Sequence, residues 1–255
     1  MINPVNLLGV QISAVDIEGA LEQVKACLPN KKGDFFCLSS IHPVMEAIKD
    51  PEIKKIISQA SAIFPDGMGI AMALRLLGNK FKGRVRGTDL MLKLCLYASK
   101  NNLSVSLYGN TNETLSKLRG ILEGQFPGIG IVKAISPPFR ELSPAEDEAI
   151  IEEVNKAKTD IIFVSLGAPK QEEWMARHKG KINAVQIGVG AAFDFIVGNV
   201  RQPPLWIQKL PLEWLFRLFQ QPAKVIYRMS LVPEFLFRLL MQIIRERLLS
   251  VKENI

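Results

Sequence analysis

The feature that most constrains the fold of this chain is a short apolar run that ends at a glycine and leads into a helix. Residues 161–164 (IIFV) form a continuous apolar run, which is typical of a strand buried on both faces of a parallel sheet. Gly167 and Pro169 end this strand, and residues 170–172 (KQE) fall in the first turn of the next helix. Because a helix N-terminus has unpaired N–H groups and a partial positive charge, the stretch is suited to an anionic ligand such as phosphate; an ordinary polar surface turn is the alternative.

The same alternation of an apolar run and a helix recurs six or seven times in the first 200 residues. Further strands are predicted at residues 6–12, 35–38, 62–64, 105–108 and 184–187, and helices at residues 17–28, 69–77, 88–98, 113–122, 144–157 and 171–178. This alternation predicts an α/β fold with a doubly wound, mostly parallel and Rossmann-like sheet. Ligands of such folds bind outside the carboxyl ends of the strands.

Several helix starts are indicated by capping residues. Asp16, Asp50 before Pro51, and Ser143 in the capping box SPAE each precede a helical pattern. Thr88 is interpreted as the cap of the helix that runs to about residue 98. These signals predict where the helices begin.

Composition places the chain among globular proteins of a reducing compartment. Hydrophobic residues make up 48% and charged residues 22% of the 255 residues, so the chain is not disordered. Cys27, Cys37 and Cys95 lie in apolar surroundings without CxxC spacing, which favours buried thiols. The N-terminus has no basic region followed by a long apolar core, so no signal peptide is expected and a cytoplasmic location is predicted.

The net charge of +7 is concentrated in the tail. Residues 201–255 carry nine Lys and Arg against four Glu, and the pattern there changes to helices only. We therefore predict an α/β catalytic domain at residues 1–200 and a helical, basic C-terminal appendage at residues 201–255. The last helix, predicted from residue 233 to 249, has a narrow polar stripe of Glu234, Arg238, Gln242 and Arg245 and is otherwise apolar. It is too interrupted by charge to span a bilayer, so it is expected to pack on the domain, on another subunit or on the membrane interface.

Motifs of several reaction classes are absent from the sequence. There is no DxD, GxSxG, HExxH or Walker lysine loop, and neither His42 nor His178 has the neighbours of a metal site. The segment GVGAAF at residues 188–193 has Phe193 in place of the third glycine of a dinucleotide fingerprint, so hydride transfer is only a weak alternative. Nucleic-acid binding is not expected, because the apolar residues of the tail have the spacing of buried helices.

Two strand ends carry candidate functional residues. Asp66 follows the predicted strand 62–64 in a Pro-Asp-Gly turn, where a rigid strand would present the carboxylate to a cleft, although Asp-Gly is also a common turn dipeptide. Gly109 and Thr111 follow the strand 105–108 at the start of a helix, which is again suited to phosphate.

The ordered motifs resemble one family. The matching segments are NLLGV near the start, PDGMG from Pro65, RVRGTDLM from Arg84, SPPFR from Ser136, LGAPKQEEWMARH from Leu166, GVGAAFDFIVG from Gly188 and LEWLFRL from Leu212. Together they resemble the WecG/TagA/CpsF family of bacterial glycosyltransferases over nearly the whole chain.

The resemblance implies an inverting, metal-independent enzyme. It implies transfer of an N-acetylmannosamine-type sugar from UDP to a polyprenyl-diphosphate-linked sugar at the inner face of the cell membrane, in exopolysaccharide or teichoic-acid synthesis. The expected partners are a UDP-N-acetylhexosamine, the lipid-linked acceptor and the membrane surface, which the C-terminal helices would contact, and a homo-oligomer is allowed. No cofactor is expected, since the UDP-sugar is a substrate.

The resemblance also implies roles for particular residues. Asp66 would be the general base and Arg84 would stabilise the departing diphosphate. Gln171, Gly109 and Asp194 would hold the nucleotide, and Arg217 and Arg228 of the appendage would complete the site. The remaining residues expected to bind substrate are Ser40, His42 and Thr88.

The chain departs from the usual family pattern at Ser40, where asparagine is common, and at Gln202. These differences motivate a second hypothesis, a non-catalytic, membrane-associated or complex-forming relative that keeps the fold and the UDP pocket. The retention of Asp66 and Arg84 favours an enzyme.

Overall fold

A computed structural model describes residues 4–30, 33–80, 83–204, 213–220 and 222–253. Its centre is a six-stranded sheet in which every pair of neighbouring strands is parallel, in the order β4-β3-β8-β7-β5-β6. The strands are β3 (Phe35–Ser39), β4 (Ala62–Pro65), β5 (Ser104–Gly109), β6 (Gly130–Ile135), β7 (Ile161–Ser165) and β8 (Val185–Gly188). A separate antiparallel hairpin consists of β1 (Val5–Leu7) and β2 (Val10–Ile12).

Helices connect the strands and cover both faces of the sheet. They are α1 (Ile17–Cys27), α2 (Ile41–Lys49), α3 (Pro51–Ile57), α4 (Met68–Leu76), α5 (Gly87–Lys100), α6 (Asn112–Gln125), α7 (Pro144–Lys156), α8 (Lys170–His178) and α9 (Ala192–Val197). The C-terminal helices are α10 (Glu213–Leu218), α11 (Pro222–Ser230) and α12 (Val232–Glu253). The prediction of a doubly wound α/β fold with a helical C-terminal part is confirmed.

Alternate residues of each strand point to opposite faces of the sheet and so build two cores. Phe36 and Phe163 contribute to the core that α1, α5, α6 and α9 cover. Phe35 and Val164 contribute to the core under α2, α3, α4, α7 and α8. Because both faces are covered, the strands are apolar at successive positions, as the run at residues 161–164 predicted.

Capping side chains begin the helices where the sequence indicated them. The Asp16 carboxylate accepts a hydrogen bond from the backbone N–H of Gly19, and the Asp50 carboxylate accepts from that of Glu52. Ser143 and Glu146 form the predicted capping box. Such caps satisfy backbone donors that would otherwise have no partner, typically worth about 1 kcal/mol each.

The single strand predicted at residues 6–12 is wrong. The chain turns within this stretch at Leu8 and Gly9, whose φ angles are 53° and 88°, and the two halves pair as the β1–β2 hairpin. A two-residue turn with positive φ at both positions matches the twist of paired strands, and glycine adopts this conformation without strain.

Two further features differ from the sequence prediction. Strand β6 was not predicted; it lies at the edge of the sheet, and most of its residues are half-buried. Thr88 does not cap a helix: α5 begins at Gly87, Arg86 occupies the N-cap position, and Thr88 is a buried residue of the first turn. A Cβ on Gly87 would lie 2.6 Å from the carbonyl oxygen of Val189, so glycine allows the helix to start against that loop.

Helix α12 packs through one face on the part of the chain that contains the sheet. Phe235 and Leu239 are buried in the core shared with α2 and α4. The Gln242 side chain accepts a hydrogen bond from the backbone N–H of Leu8 and donates one to the Asn6 carbonyl oxygen. Gln242 therefore contacts the β1–β2 hairpin, and the predicted polar stripe lies partly at a protein contact.

The opposite face of α12 is apolar and exposed. It includes Phe237, Leu240, Met241, Ile244 and Leu248, each at least 43% exposed. The spacing of these residues places them on one side of the helix. In the described part of the chain, no helix has the length and apolarity needed to cross a membrane.

Candidate active site

The carboxyl ends of the six parallel strands meet at one edge of the sheet, and most of the candidate residues lie there. Ser40 follows β3, Asp66 follows β4, Gly109 ends β5, and residues 188–191 (GVGA) extend from the last residue of β8 to the start of α9. We refer to residues 188–191 as the glycine loop. This placement agrees with the general location of ligand sites in open α/β sheets.

Asp66 lies beside the end of β3. Its backbone N–H donates a 2.8 Å hydrogen bond to the carbonyl oxygen of Ser39. Ser40 occupies the N-cap position of α2, but its hydroxyl makes no capping hydrogen bond. The Cβ of Ser40 is 3.8 Å from the position that a Cβ on Gly67 would take. Asp66 and Ser40, both half-buried, therefore border the same turn.

A backbone hydrogen bond brings Arg84 to this region. The N–H of Val85 donates a hydrogen bond to the carbonyl oxygen of Pro65 over 2.7 Å. Arg84 precedes Val85 and Asp66 follows Pro65, so this bond holds the segments of Arg84 and Asp66 together. Arg84 is half-buried and stands just ahead of the N-terminus of α5. A guanidinium group and a helix N-terminus both stabilise negative charge, so this corner suits a diphosphate.

A second group of residues surrounds the end of β5. Asn110, with a φ of 64°, donates a 3.0 Å hydrogen bond from its side-chain amide to Oδ1 of Asp194. Asn199 donates to the same oxygen at 3.2 Å. Gly109 has a φ of 114°, and a Cβ there would lie 2.4 Å from the Ser165 carbonyl oxygen. The Asp194 carboxylate is thus held in one orientation by two amides at the strand edge.

The glycine loop is tied to its neighbours by side chains. The Ser165 hydroxyl donates a 2.6 Å hydrogen bond to the carbonyl oxygen of Gly190. The backbone N–H of Gly190 donates to Oε1 of Gln171 at 3.1 Å. Gln171 is only 3% exposed, and its side-chain nitrogen donates to Oε1 of Glu172 at 3.0 Å. Both polar ends of the Gln171 amide are therefore engaged within the protein.

His42 lies where α2 meets α11. Its ring packs edge-on against Tyr227, with ring centroids 5.6 Å apart, and its Nε2 is 3.7 Å from Glu46 Oε1. Burial lowers the pKa of His42, the Arg228 guanidinium lowers it further, and Glu46 opposes both effects. Arg228, although exposed, is thus close enough to act on a residue two positions beyond Ser40.

Two of the predicted site residues, Thr88 and Arg217, are not placed in these groups by a described side-chain contact. Thr88 is 6% exposed and packs in the first turn of α5. Arg217 belongs to α10, and its side chain lies outside the described part of the structure. Three polar residues at the site were not singled out from the sequence, namely Asn110, Ser165 and Arg86. Of these, only Asn110 carried a clear signal, because Gly-Asn pairs favour turns with positive φ.

Within the described ranges, no three His, Cys, Asp or Glu residues form a group that could hold a metal ion. Arg86 donates a 3.3 Å hydrogen bond to Oε1 of Gln202 and so links the N-terminus of α5 to the segment that leads into the C-terminal helices.

Comparison with known proteins gives a consistent result. A model of the Glycosyl transferase WecG/TagA/CpsF family matches residues 5–248. The chain is similar to a protein of Staphylococcus aureus (strain MW2), with 29% identity over 238 residues that cover 92% of this chain and 91% of the relative. It is also similar to a protein of Bacillus subtilis (strain 168), with 29% identity over 201 residues, or 78% and 76% of the two chains. Both relatives are named N-acetylglucosaminyldiphosphoundecaprenol N-acetyl-beta-D-mannosaminyltransferase.

Proposed function

Because the chain belongs to the WecG/TagA/CpsF family and is a glycosyltransferase, we propose that it transfers an N-acetylmannosamine-type sugar from UDP to a polyprenyl-diphosphate-linked N-acetylglucosamine. The names of the relatives support the sugar and the acceptor. The product would be a precursor of a cell-surface polysaccharide. Family membership leaves no support for the dinucleotide-dependent oxidoreductase alternative.

The observation that carries this proposal is the placement of Asp66 and Arg84. Asp66 is anchored to the end of β3 by its backbone, and the Val85–Pro65 hydrogen bond holds the segment of Arg84 against the end of β4. A carboxylate and a guanidinium thereby come to the strand edge where a sugar nucleotide would bind. Each has one role in a displacement at the anomeric carbon.

The proposed reaction is a single displacement. The acceptor hydroxyl oxygen attacks the anomeric carbon, the bond from that carbon to the UDP oxygen breaks, and the electron pair leaves with UDP. Asp66 takes the hydroxyl proton as general base, which is typically worth about 10² to 10⁴ in rate. Attack opposite the leaving group inverts the anomeric configuration.

Arg84 and the N-terminus of α5 would stabilise the diphosphate as it departs. The negative charge that develops on the leaving oxygen is favoured by a nearby guanidinium and by the unpaired N–H groups of a helix start. We propose that these groups do the work that a metal ion does in other sugar transferases, so that UDP-sugar and acceptor suffice without a cofactor.

Residues around β5 would hold the nucleoside. Gly109 lets the chain pass close to Ser165, and Asp194 is oriented by Asn110 and Asn199. A fixed carboxylate is a good acceptor for the hydroxyl groups of a ribose. Ser40 and His42 lie on the other side of the site and are proposed to contact the acceptor sugar.

The exposed face of α12 supports a location on the inner surface of the cell membrane. Phe237, Leu240 and Ile244 lie on a helix within the basic part of the chain. Apolar side chains inserted at the lipid boundary and cations facing anionic lipids act together in such helices. Arg228, which is near His42, and Arg217 would then be held between the bilayer and the site; association of two copies through the same face is the alternative outcome.

The test is UDP release from a panel of UDP-N-acetylhexosamines with polyprenyl-diphosphate-N-acetylglucosamine, in detergent and with EDTA. Acceptor-dependent release in EDTA is expected with one donor. UDP binding without release for any donor would favour the second hypothesis, a non-catalytic relative that keeps the pocket. Asp66→Asn, assayed beside the wild type, identifies release that does not come from this site.

A further inference from the structure

The side-chain amide of Gln171 joins a buried acid to the glycine loop. Its nitrogen donates to Oε1 of Glu172 at 3.0 Å, and its oxygen accepts from the N–H of Gly190 at 3.1 Å. A Cβ on Gly188 would lie 2.9 Å from this nitrogen, so the amide is wedged against the start of the loop. The Gly190 N–H therefore keeps this acceptor only while the oxygen of the Gln171 amide points toward the loop.

The partner of Gln171 is an acid enclosed by the protein. Glu172 is 3% exposed, and among the described residues its Oε2 has no hydrogen-bond partner. It borders a small cavity whose lining includes His42 and Glu46 of α2 and Ile53 and Ile57 of α3. A buried acid with so few polar contacts is unusual unless it has a role.

The chemistry of the two groups dictates the orientation of the amide. An ionised carboxylate only accepts hydrogen bonds, so it binds the nitrogen end of Gln171 and leaves the oxygen end for the Gly190 N–H. A neutral carboxylic acid can also donate. The neutral acid can therefore also bind the Gln171 amide in the flipped orientation. In that orientation the Gln171 nitrogen would face the Gly190 nitrogen, and both of these groups are donors.

We propose that Glu172 is a positioning residue that orients the Gln171 amide and thereby holds the glycine loop in the conformation that binds the sugar nucleotide. This inference rests on the proposed function, since it assigns the loop to UDP. Glu172 does not touch the substrate in this scheme and acts only through Gln171.

The surroundings of Glu172 allow it to change charge near neutral pH. Burial raises its pKa to about 7, while the hydrogen bond from Gln171 lowers it. The titratable groups facing it are His42 and Glu46 of α2, Cys37 of β3 and Glu173 of its own helix. Helix α3 presents only isoleucines to the cavity. The orienting effect is therefore strongest above about pH 7, where Glu172 is ionised.

The first test measures UDP affinity by calorimetry at about pH 6 and about pH 8. Glu172→Gln is nearly isosteric and resembles the neutral acid, because its amide can accept or donate. It is expected to bind UDP about five- to tenfold more weakly than the wild type at the higher pH and about equally at the lower, as for one lost buried hydrogen bond. Because the UDP phosphate also titrates near pH 6, variant and wild type are compared at the same pH.

Two further variants show whether Glu172 acts through Gln171. Glu173→Gln, at the next position of the same helix, is the matched control and should bind UDP as the wild type does. Combining Glu172→Gln with Gln171→Ala should weaken binding no more than Gln171→Ala alone, because the two residues form one unit. Equal affinities of Glu172→Gln and the wild type at about pH 8 would overturn the proposal.

The second test does not depend on the ligand. Hydrogen exchange of the Gly190 amide, measured without nucleotide, should be about five- to tenfold faster in Glu172→Gln at about pH 8 and unchanged in Glu173→Gln. If the wild type does not bind UDP, the proposed function fails, while this measurement still decides whether Glu172 positions the loop. Unchanged protection of Gly190 would contradict the inference.

Discussion

The hydroxyl group of Tyr227 donates a 2.8 Å hydrogen bond to Oε1 of Glu46 and so joins α11 to α2. The same carboxylate lies 3.7 Å from Nε2 of His42. A second contact between these parts of the chain joins Lys49 to Glu234 of α12 over 3.3 Å. Because α2 begins directly after Ser40, these contacts connect the C-terminal helices to the edge of the candidate active site.

Tyr227→Phe is expected to loosen α11 without unfolding the protein. Both partners of the hydrogen bond are partly exposed, so its loss should lower the free energy of unfolding by about 1 kcal/mol or less. Amide exchange in α11 should become faster, whereas exchange in the central strands should not change. Glu46→Gln is the matched variant, since its carbonyl oxygen still accepts from Tyr227 and should preserve most of the protection.

Asp66→Asn is expected to separate binding from catalysis. The substitution keeps the shape of the side chain but removes the base, so UDP affinity should stay within about threefold while transfer falls about 10²- to 10⁴-fold. Glu123→Gln, on the exposed surface of α6, provides a control for the loss of one negative charge. Normal transfer by Asp66→Asn would remove Asp66 from the mechanism.

Gly109→Ala should disturb the nucleotide side of the site. The new Cβ would lie 2.4 Å from the Ser165 carbonyl oxygen, and a φ of 114° is unfavourable for alanine. We expect a loss of about 1 to 3 kcal/mol in the free energy of unfolding. UDP affinity should fall as well, because a shift of the neighbouring Asn110 would weaken its hydrogen bond to Asp194.

Gly120→Ala is the control for this substitution. Gly120 lies within α6, and a Cβ there meets nothing within 4 Å. Alanine in a helix interior is about 0.5 to 1 kcal/mol more favourable than glycine, so this variant should be more stable than the wild type and bind UDP equally well. Denaturant unfolding and calorimetry measure both properties.

The parts of the fold that the sequence predicted are those that local chemistry determines. The buried strand at residues 161–164 and the capping box at Ser143 were correct because an uninterrupted apolar run and a cap each depend on neighbouring residues. Strand β6 was not predicted because its sequence, GIVKAI, is interrupted by Lys133 and lacks the continuous apolar run of a fully buried strand. Helix α5 begins at Gly87, before the predicted cap at Thr88, because glycine tolerates the close approach of Val189. This is a tertiary contact, which the local sequence does not indicate.

In the candidate site, too, the features set by local sequence were predictable and the long-range contacts were not. Asp66 and Gly109 could be named from their turns, since strand ends and glycine signals are local. The hydrogen bond between Asn110 and Asp194 joins residues 84 positions apart, and no spacing in the sequence indicates it. Gln171 was expected to hold the nucleotide, but its burial and its bonds to Glu172 and Gly190 follow from how α8 packs against β8.

Polar substitutions on the exposed face of α12 should weaken membrane binding. Phe237 and Leu240 are 65% and 54% exposed, so Phe237→Ser with Leu240→Ser removes apolar surface without disturbing the packed face. If each side chain contributes about 1 kcal/mol at the lipid boundary, binding to anionic vesicles should fall about 10- to 30-fold in sedimentation.

A control pair and one alternative outcome complete this test of the apolar face of α12. The control pair, Leu96→Ser with Ile121→Ser, changes exposed apolar residues of α5 and α6 and should leave vesicle binding unchanged. If instead the α12 variant binds vesicles normally but changes from a dimer to a monomer in sedimentation velocity, the face joins two copies of the chain.

Glu172 should make the folded state less stable as the pH rises. Burial raises its pKa from the ordinary 4.5 to about 7, so the folded protein keeps the proton over a range in which the unfolded chain has lost it. The stabilisation is complete below the unfolded pKa and is lost as the pH rises through the folded pKa. The loss between about pH 5 and about pH 8 amounts to about 2 to 3 kcal/mol.

The variant Glu172→Gln does not titrate at this position. Its stability relative to the wild type, from denaturant unfolding at both pH values, should therefore increase by this amount, whereas Glu173→Gln should follow the wild type. Parallel pH profiles for Glu172→Gln and the wild type would show that Glu172 is already ionised well below neutral pH.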